Sequence, residues 1–441
     1  MEDLKDKIPG HWEVKTLGEV CHFIGGGTPS KSNLEFWGGD IPWASIKDIK
    51  GDFLVETQDF ITELGLNNSA TNLAHPGDII VATRITPGRA IITKIETAVN
   101  QDLKIAKFGS DYDSRFMFYT FNFLEREIVK RSNGTTVLGV TLQVLSELSI
   151  AIPPLSEQIS VASKLDELFS ELDRGKLQLE LARRQLKVYR QSLLERAFEG
   201  RLTNENVKEG ELPKNWERRM LGNIVEKVFD GPFGSNLKSV DYTSKGVRVI
   251  RLENIGVLKF KDEFKTYISE EKYSSINKHT VKFGDIIFSS FVAEEIRVAI
   301  LPKHITQAVN KADCFCIRVN ASKANGNFLT YYLATKNAYN QLRGDIHGAT
   351  RPRINTSQLK SCLVPLCPIE EQELIVNELR RRLSICDELE QMVDQALQQS
   401  ENLRQSILKR AFKGELITVH SDITSKEKSN CLNSSRIHQA G

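Results

Sequence analysis

The glycine-rich stretch at 23–43, FIGGGTPSKSNLEFWGGDIPW, is the first segment of the chain whose residue types could form a ligand-binding loop. Its run Gly25–Gly27 could cradle a nucleotide or S-adenosylmethionine, because glycine lets backbone N–H groups approach a phosphate closely. A dinucleotide-binding loop should follow a strand and open a helix. Here Thr-Pro-Ser follows at 28–30 and a second glycine pair follows at 38–39. We therefore expect a loop within a β-rich region and no cofactor site.

Motifs for catalysis and metal binding are missing from the rest of the sequence. The prolines of IPPL at 152–155 lack the polar and aromatic neighbours that an amino-group methyltransferase uses to hold a flipped base. The sequence has no Gly-x4-Gly-Lys-(Ser/Thr) phosphate loop and no His-Glu-x-x-His zinc motif. Its seven cysteines are irregularly spaced, which argues against a disulfide framework or a zinc ribbon. The sequence predicts no catalytic residue, no cofactor and no metal.

Basic side chains are the remaining candidates for chemistry, as contacts to DNA. The formal net charge is only +2, so a nucleic-acid-binding patch must be local. Arginine suits bidentate contact with guanine, although each residue taken alone is also compatible with an ordinary surface charge. The candidates of the first half are Lys31, Lys47, Arg84, Arg89 and Lys94. Those of the second half are Lys238, Lys245, Arg248, Arg251, Arg297, Arg351 and Arg353, the last two joined by Pro352 in an extended segment.

A long internal repeat sets the architecture that must position these residues. The segments 189–202, YRQSLLERAFEGRL, and 403–416, LRQSILKRAFKGEL, share nine of fourteen residues at a constant offset of 214. Upstream, Gly-Asp-Ile-Ile at 77–80 recurs at 284–287, and Ala-Val-Asn at 98–100 recurs at 308–310. PGHWEVKTLG at 9–18 matches PKNWERRMLG at 213–222. One unit of about 200 residues is therefore used twice.

Each repeat ends in a segment with the pattern of a long helix. Leucine occupies positions 165, 172, 179, 186 and 193, a heptad stripe that recurs more weakly over 370–413. Ser156 is the predicted N-cap of the first helix, and Gly200 and Gly414 suit the two C-termini. At 1.5 Å per residue, 44 residues make a rod of roughly 66 Å. Because neither rod can bury its stripe alone, we expect the two to pack together antiparallel; separate packing of each helix on its own domain is the alternative.

The predicted fold is α+β, with two mixed α/β domains joined by two long antiparallel coiled-coil helices in a pseudo-two-fold repeat. We expect domains at 1–155 and 201–368, helices at 156–200 and 369–417, and a disordered tail at 418–441. Apolar runs at 78–83 and 89–93 are predicted strands. The sequence has no apolar signal core at its start and no run of about 18 apolar residues, so we expect a cytoplasmic protein.

The repeated motifs, taken in order, resemble the specificity subunit of type I restriction–modification enzymes over residues 9 to about 417. In the first half the resemblance rests on GGTPSKSNLEFWGGDIPWASIKDI at 26–49, GDIIVATRITPGRAII at 77–92, IPPLSEQ at 152–158 and RQSLLERAFEGRL at 190–202. In the second half it rests on DGPFGSNLK at 230–238, GATRPRINTSQLK at 348–360, PIEEQ at 368–372 and RQSILKRAFKGEL at 404–416. Their order around two long helices is more specific than any single motif.

The resemblance implies a division of labour among subunits. Each globular part is then a target recognition domain that reads one half of a bipartite double-stranded DNA site, and the helices space the domains and dock partners. Two modification subunits supply S-adenosylmethionine binding and adenine methylation, and two restriction subunits add ATP-driven translocation and cleavage. The resemblance implies no catalytic residue in this chain.

Two other classes of function stay open at this point. One is a self-contained methyltransferase with a degenerate cofactor loop, which requires that the isolated chain bind S-adenosylmethionine. The other is a coiled-coil adaptor that makes no contact with nucleic acid, which requires that the chain show no salt-dependent affinity for DNA.

Overall fold

The computed structural model describes residues 8–134, 137–204, 206–208, 210–344 and 352–416. The chain divides into unit 1, which comprises Met1–Gln178 and Ala396–Gly441, and unit 2, Leu179–Gln395. The predicted tail at 418–441 and the candidate Arg351 lie outside the described residues. Within the described ranges, no helix is both long and apolar enough to cross a membrane.

Unit 1 is a succession of short strands and helices before the first long helix. In chain order its elements are β1 (Glu13–Thr16), α1 (Leu17–Val20), β2 (Cys21–Gly25), β3 (Trp37–Ala44), β4 (Phe53–Leu54), β5 (Asp59–Ile61), α2 (Glu63–Asn67), β6 (Asn72–Ala74), β7 (Ile79–Ala82), β8 (Ala90–Thr93), β9 (Thr97–Val99), β10 (Leu103–Phe108), α3 (Ser114–Lys130), α4 (Leu142–Ser146) and β11 (Ser149–Ile152). The long helix α5 (Leu155–Phe198) begins in unit 1 and ends in unit 2.

Two sheets form the body of unit 1, and β1 pairs with β11 beside them. One sheet has the order β2-β10-β7-β8-β4 and the other β5-β3-β9-β6, in which β3 and β9 are parallel. The predicted strands at 78–83 and 89–93 are confirmed as β7 and β8, and both are buried along their whole length, as their continuous apolar runs require. The glycine pair at 38–39 lies within β3 rather than in the expected loop, where the register against β5 shifts.

Unit 2 has a similar succession of elements. They are β12 (Glu217–Met220), α6 (Leu221–Ile224), β13 (Val225–Phe229), β14 (Tyr242–Thr243), β15 (Val247–Ile250), β16 (Thr266–Ile268), α7 (Glu270–Ile276), β17 (Thr280–Val281), β18 (Ile286–Ser289), β19 (Val298–Ile300), β20 (Ala308–Asn310), β21 (Cys314–Val319), α8 (Gly326–Leu333), α9 (Lys336–Arg343), α10 (Thr356–Ser361) and β22 (Leu363–Leu366). The second long helix, α11 (Ile369–Ala411), begins in unit 2 and ends in unit 1.

The sheets of unit 2 repeat the strand order of unit 1. The order β13-β21-β18-β19 corresponds to β2-β10-β7-β8, and β16-β15-β20-β17 corresponds to β5-β3-β9-β6. The parallel pair β3 and β9 has its counterpart in the parallel pair β15 and β20. Outside this shared frame, unit 1 adds β4 to one sheet and unit 2 adds β14 to the other.

Each unit packs one end of α5 together with one end of α11. In unit 1 the core holds residues 161–169 of α5 together with 407–412. In unit 2 it holds 193–198 of α5 together with 375–383 of α11. In each unit an arginine of one long helix forms an ion pair with an aspartate of the other, and the two arginines are equivalent in the repeat. Arg404 lies 3.0 Å from Asp173 in unit 1, and Arg190 lies 2.7 Å from Asp387 in unit 2. In unit 2, a second ion pair between positions 183 and 394 shows that the segments run antiparallel there.

The predicted start of α5 was wrong by one residue. The helix begins at Leu155, because the carbonyl of Pro154 already accepts the N–H groups of residues 157 and 158. Ser156 is therefore inside the first turn and is not the N-cap. Gly200 and Gly414 follow the two helices with φ values of +77° and +72°, the left-handed conformation predicted for a helix C-terminus.

A buried glutamine near the start of each long helix explains part of the repeated Pro-x-x-Glu-Gln motif. The side-chain oxygen of Gln158 accepts the N–H of Asp113 at 2.9 Å, and that of Gln372 accepts the N–H of Asn325 at 2.8 Å. Each amide nitrogen donates to the carbonyl five residues earlier, at 2.9 and 2.8 Å. Asp113 and Asn325 are the N-caps of α3 and α8, so each glutamine ties its long helix to an earlier helix of the same unit.

The glutamate of the same motif holds an indole. Trp12 Nε1 donates to Glu157 in unit 1 and Trp216 Nε1 donates to Glu371 in unit 2, both at 3.1 Å. Both tryptophans are buried, and a buried indole N–H needs an acceptor. The repeated identity of this motif is therefore accounted for by hydrogen bonding within each unit.

Asp230, which follows β13, is a partly buried carboxyl with a raised pKa. Its carboxylate accepts the N–H groups of Gly231 at 2.7 Å and Asp313 at 3.0 Å. Burial nevertheless raises its pKa from an ordinary value of 3.8 to about 6. The folded state then binds this proton more tightly than the unfolded chain, so the free energy of unfolding falls as the pH rises from about 4 to about 6.

We expect Gln158→Leu and Gln372→Leu to destabilise their own units by about 2–4 kcal/mol. Leucine leaves a backbone N–H and a carbonyl buried without partners, and each such loss costs roughly 1–3 kcal/mol. Chemical unfolding followed by hydrogen exchange in each unit measures the effect. The control is Gln143→Leu, whose side chain makes only an exposed contact with Glu147. Equal stability of the buried variants and the control would contradict the role given to these glutamines.

We expect Asp230→Asn to stabilise the protein at pH 7.5 and to have little effect at pH 4. The amide oxygen still accepts both backbone hydrogen bonds, but no charge is buried. The gain at pH 7.5 should be about 1 kcal/mol after allowance for solvent screening. Unfolding curves between pH 4 and 7.5 measure it. Asp241→Asn is the control with the opposite sign, because the backbone N–H of Lys238 lowers the pKa of Asp241.

Candidate nucleic-acid interface

The glycine loop after β2 is shaped by the packing of its backbone on β9 and β6. A Cβ atom on Gly26 would lie 2.0 Å from the carbonyl oxygen of Asn100, and one on Gly27 would lie 2.5 Å from the backbone of Ala70. The buried Trp43 side chain donates to the carbonyl of Gly27 at 3.1 Å. These contacts require glycine for close packing within the unit and need no bound phosphate.

The equivalent loop of unit 2 repeats this contact with a single glycine. A Cβ atom on Gly231 would lie 2.2 Å from the backbone of Lys311. The loss of the other glycines is therefore compatible with the same backbone path. Both loops lie beside the turn that leads into the central strand β10 or β21.

Arg84 lies two residues beyond the end of β7, beside the turn that leads into β10. Its side chain is 58% exposed, and its Nη1 lies 3.5 Å from the carboxylate of Asp102. The next residue, Ile85, has φ of +68° and is 52% exposed. A β-branched residue is strained in this conformation, and such strain is concentrated at functional sites. The exposed side chain of Leu138 belongs to the segment that pairs with Arg84.

The other candidates of unit 1 do not gather around Arg84. Lys31 is exposed in the turn after the glycine loop, and Lys47 is exposed in a one-turn 3-10 helix. Lys94 lies with its Nζ 4.4 Å from the ring centre of Phe53. Arg89 lines a polar cleft of about 560 Å³ between β8, α3 and the long-helix segments, where its Nε is buried without a hydrogen-bond partner.

Two arginines of unit 2 lie around the corresponding strand end. Arg353 is 51% exposed, its Nη2 lies 3.0 Å from Asp313, and its guanidinium lies 4.8 Å from the ring centre of Phe291. Arg297, at the start of β19, is partly buried and donates to the carbonyl of Leu252 and the hydroxyl of Ser289. The guanidinium of Arg353 is therefore accessible to solvent, whereas that of Arg297 is held by hydrogen bonds within unit 2.

Arg248 is held within unit 2 by its own surroundings. The side chain is buried, and its Nη2 donates to the carboxylate of Asp262 at 3.0 Å and to the carbonyl of Phe264 at 2.9 Å. Its guanidinium also lies 5.6 Å from the ring centre of Tyr267. A guanidinium with these partners and a buried side chain is a structural group, so Arg248 is not part of the exposed surface.

The remaining basic candidates of unit 2 lie around β14. Arg251 pairs with Glu253 at 2.8 Å and lies 5.4 Å from the ring centre of Tyr242. Lys238 and Lys245 are exposed on either side of β14. The predicted residues are thus spread over each unit rather than collected in one patch.

The sequence reasoning missed the two aspartates that hold Arg84 and Arg353. Asp102 and Asp313 each follow the repeated Ala-Val-Asn segment, by two and three residues respectively. Their position after a recognised repeat was the available signal. The one-residue difference in spacing hides the match in a gap-free comparison.

Among the described residues, no three or more His, Cys, Asp or Glu side chains lie together in a way that could hold a metal ion. Burial raises the pKa of the Cys21 and Cys367 thiols to about 12, which makes them poor nucleophiles and metal ligands. Cys431 lies outside the described residues.

Comparison with known sequences gives a consistent family. The type I restriction modification DNA specificity domain matches residues 9–182 and 213–399. The specificity subunit of the type I restriction enzyme EcoBI from Escherichia coli is 28% identical over 354 residues, which cover 78% of this chain and 74% of that protein. The MjaIX specificity subunit from Methanocaldococcus jannaschii is 26% identical over 385 residues, covering 82% and 85%.

Solved structures have a similar fold. A chain from a study of complex assembly and conformational transition of the type I R-M system matches with a TM-score of 0.73 at 19% identity, covering 92% of this chain and 99% of that one. The HsdS subunit from Thermoanaerobacter tengcongensis matches with a TM-score of 0.50 at 19% identity, covering 92% and 98%. Since the family model covers most of the sequence, the chain belongs to the type I restriction–modification DNA specificity domain family and is a non-catalytic specificity subunit.

Proposed function

We propose that this subunit reads a bipartite DNA target, with one half-site read by each unit, and that it directs adenine methylation and restriction by partner subunits. The globular parts at 1–155 and 201–368 are the proposed target recognition domains. The observation that carries the proposal is the repeated strand order: two sheets of unit 2 reproduce the order and strand directions of two sheets of unit 1. One frame used twice, with different surface residues, suits two reading tasks of the same kind with different sequences.

The long helices are proposed to act as an antiparallel coiled coil that sets the distance between half-sites. The equivalent pairs Arg404–Asp173 and Arg190–Asp387 support this proposal, because each unit holds one end of each helix by the same contact. A protein with pseudo-two-fold symmetry presents two reading surfaces at a fixed separation, as dimeric repressors do with two subunits.

The helices are also proposed to dock two modification subunits, and the assembled complex to recruit two restriction subunits in the cytoplasm. Large apolar side chains on the helices are left exposed within the described residues. They are Leu155, Ile159, Leu177 and Leu403 in unit 1 and Leu181, Val188, Tyr189, Leu374, Ile385, Leu389 and Met392 in unit 2. Apolar groups at such density on a helix surface suit a protein partner.

We expect exchange of residues 1–155 for the corresponding domain of another specificity subunit to change one half of the methylated sequence and leave the other half unchanged. Sequencing of methylated adenines in cells that carry the chimera and its modification subunit measures both halves at once. The unmodified chain is the control. A change in both half-sites, or DNA modification by the chain without any partner, would contradict the proposal; the second result would instead favour a self-contained methyltransferase.

Insertion of four residues in both long helices should lengthen the unread spacer by a base pair or two. Four residues add about 6 Å of helix, close to the rise of two base pairs. The insertions belong after Gln178 and after Gln395, where the chain passes between units. Sequencing of methylated sites gives the spacer length. A four-residue insertion beside the exposed Gly210 is the control and should leave the spacer unchanged. An unchanged spacer in the helix variant would refute the proposal that the helices set the distance between half-sites.

A further inference from the structure

Three backbone hydrogen bonds define the end of β7 in unit 1. The N–H of Thr83 donates to the carbonyl of Asp102 at 2.8 Å, and the N–H of Ile85 donates to the carbonyl of Leu138 at 2.9 Å. The N–H of Val140 returns to the carbonyl of Thr83 at 2.9 Å. Arg84 and the residue at 139 are opposite each other in this short antiparallel bridge.

The end of β18 in unit 2 has the same three hydrogen bonds. The N–H of Ser290 donates to the carbonyl of Asp313 at 2.9 Å, and the N–H of Val292 donates to the carbonyl of Pro352 at 3.0 Å. The N–H of Ile354 returns to the carbonyl of Ser290 at 2.9 Å. Phe291 therefore occupies the position equivalent to Arg84, and Arg353 occupies the position equivalent to Gly139.

The two units thus carry an arginine on opposite sides of one bridge. In unit 1 it is Arg84, opposite Gly139, and in unit 2 it is Arg353, opposite Phe291. Directly opposed residues have Cβ atoms about 5 Å apart, so a long side chain from either one can reach the same place. The carboxylates they reach, those of Asp102 and Asp313, are equivalent by the hydrogen bonds above.

The geometry favours binding over stability as the reason for this arrangement. Both guanidinium groups are more than half exposed, whereas the carboxylates behind them are only 15% and 19% exposed. An exposed ion pair contributes about 0–1 kcal/mol to stability. Arg353 donates from Nη2 to Asp313 at 3.0 Å, whereas Arg84 and Asp102 form an ion pair at 3.5 Å without a hydrogen bond. In both units the neighbouring carboxylate favours one direction of the guanidinium and leaves N–H groups toward solvent, which lowers the entropy lost when it binds a planar pair of acceptors.

The surroundings of the two arginines differ. Arg84 is followed by the exposed, strained Ile85 beside Leu138, so apolar groups flank it. Arg353 lies over the ring of Phe291, and its Asp313 partner also accepts from the hydroxyl of Ser290 at 3.0 Å. A guanidinium with different neighbouring side chains in each unit suits recognition of two different DNA sequences.

We propose that Arg84 and Arg353 are the equivalent base-reading residues of the two units, that each contacts the O6 and N7 atoms of a guanine, and that Asp102 and Asp313 position them. This inference rests on the proposed bipartite reading of DNA. It specifies one base pair in each half-site and the residue that reads it.

The test uses the full chain with its modification subunit on a library of DNA fragments that vary at each position of the target. Arg84→Lys keeps the charge but loses the planar fork, so discrimination at one base pair of one half-site should fall by about 10- to 100-fold. Arg353→Lys should do the same in the other half-site only. The controls are Arg131→Lys and Arg219→Lys, exposed arginines paired with Glu127 and Glu217, which should leave both half-sites unchanged.

The positioning role has a separate signature. Asp102→Asn should weaken discrimination at the same base pair as Arg84→Lys, and the double variant should be no worse than Arg84→Lys alone, because the carboxylate acts through the guanidinium. The same holds for Asp313→Asn with Arg353→Lys. A merely structural role would instead weaken binding at every position, and thermal unfolding of each variant would show it.

The outcomes separate this inference from the proposed function. If the chain without substitutions directs its modification subunit to a bipartite target and the lysine variants retain full discrimination, the assignment of the two arginines is refuted and the function stands. Uniform weakening without a change in sequence preference would identify phosphate contacts and would also refute it. If the unmodified chain shows no bipartite preference, the proposed function itself fails.

Discussion

The constraint on which the fold depends is the burial of the apolar stripe at the ends of the two long helices. A helix of this length cannot remove its stripe from water alone. In unit 1 the start of α5 packs with the end of α11, and in unit 2 the end of α5 packs with the start of α11. Each unit therefore contains segments from distant parts of the sequence, and it can form only when both helices are present.

Hydrogen bonds at the helix starts make this packing specific. The buried glutamine and the indole-holding glutamate fix each helix start against the loops of its own unit. Apolar packing alone tolerates sliding by one turn, whereas a buried amide with fixed partners does not, because a slip leaves those partners unsatisfied. The residues that repeat most faithfully between the halves are thus largely those that fix the register.

Sequence reasoning succeeded where a pattern has one physical cause. Continuous apolar runs predicted β7 and β8, and heptad leucines predicted the long helices. The glycine run at 25–27 was expected to lie in a loop without a cofactor site, and two of its glycines allow close backbone packing. Sequence reasoning failed where a residue type has several uses. Arg248 was a candidate DNA contact, because its sequence neighbours cannot reveal the carboxylate and carbonyl that accept its hydrogen bonds.

The same limit explains why the two arginines could not be matched from sequence. Alignment without gaps places Arg84 opposite Phe291, which carries no charge. The backbone hydrogen bonds show that the charge has moved across a bridge to Arg353 while the carboxylate that receives it has stayed in place. A duplicated frame can therefore keep a guanidinium beside an equivalent carboxylate while the segment that supplies the guanidinium changes. Under the proposed reading of DNA, such an exchange alters the flanking groups, and with them the sequence preferred, without disturbing the buried frame.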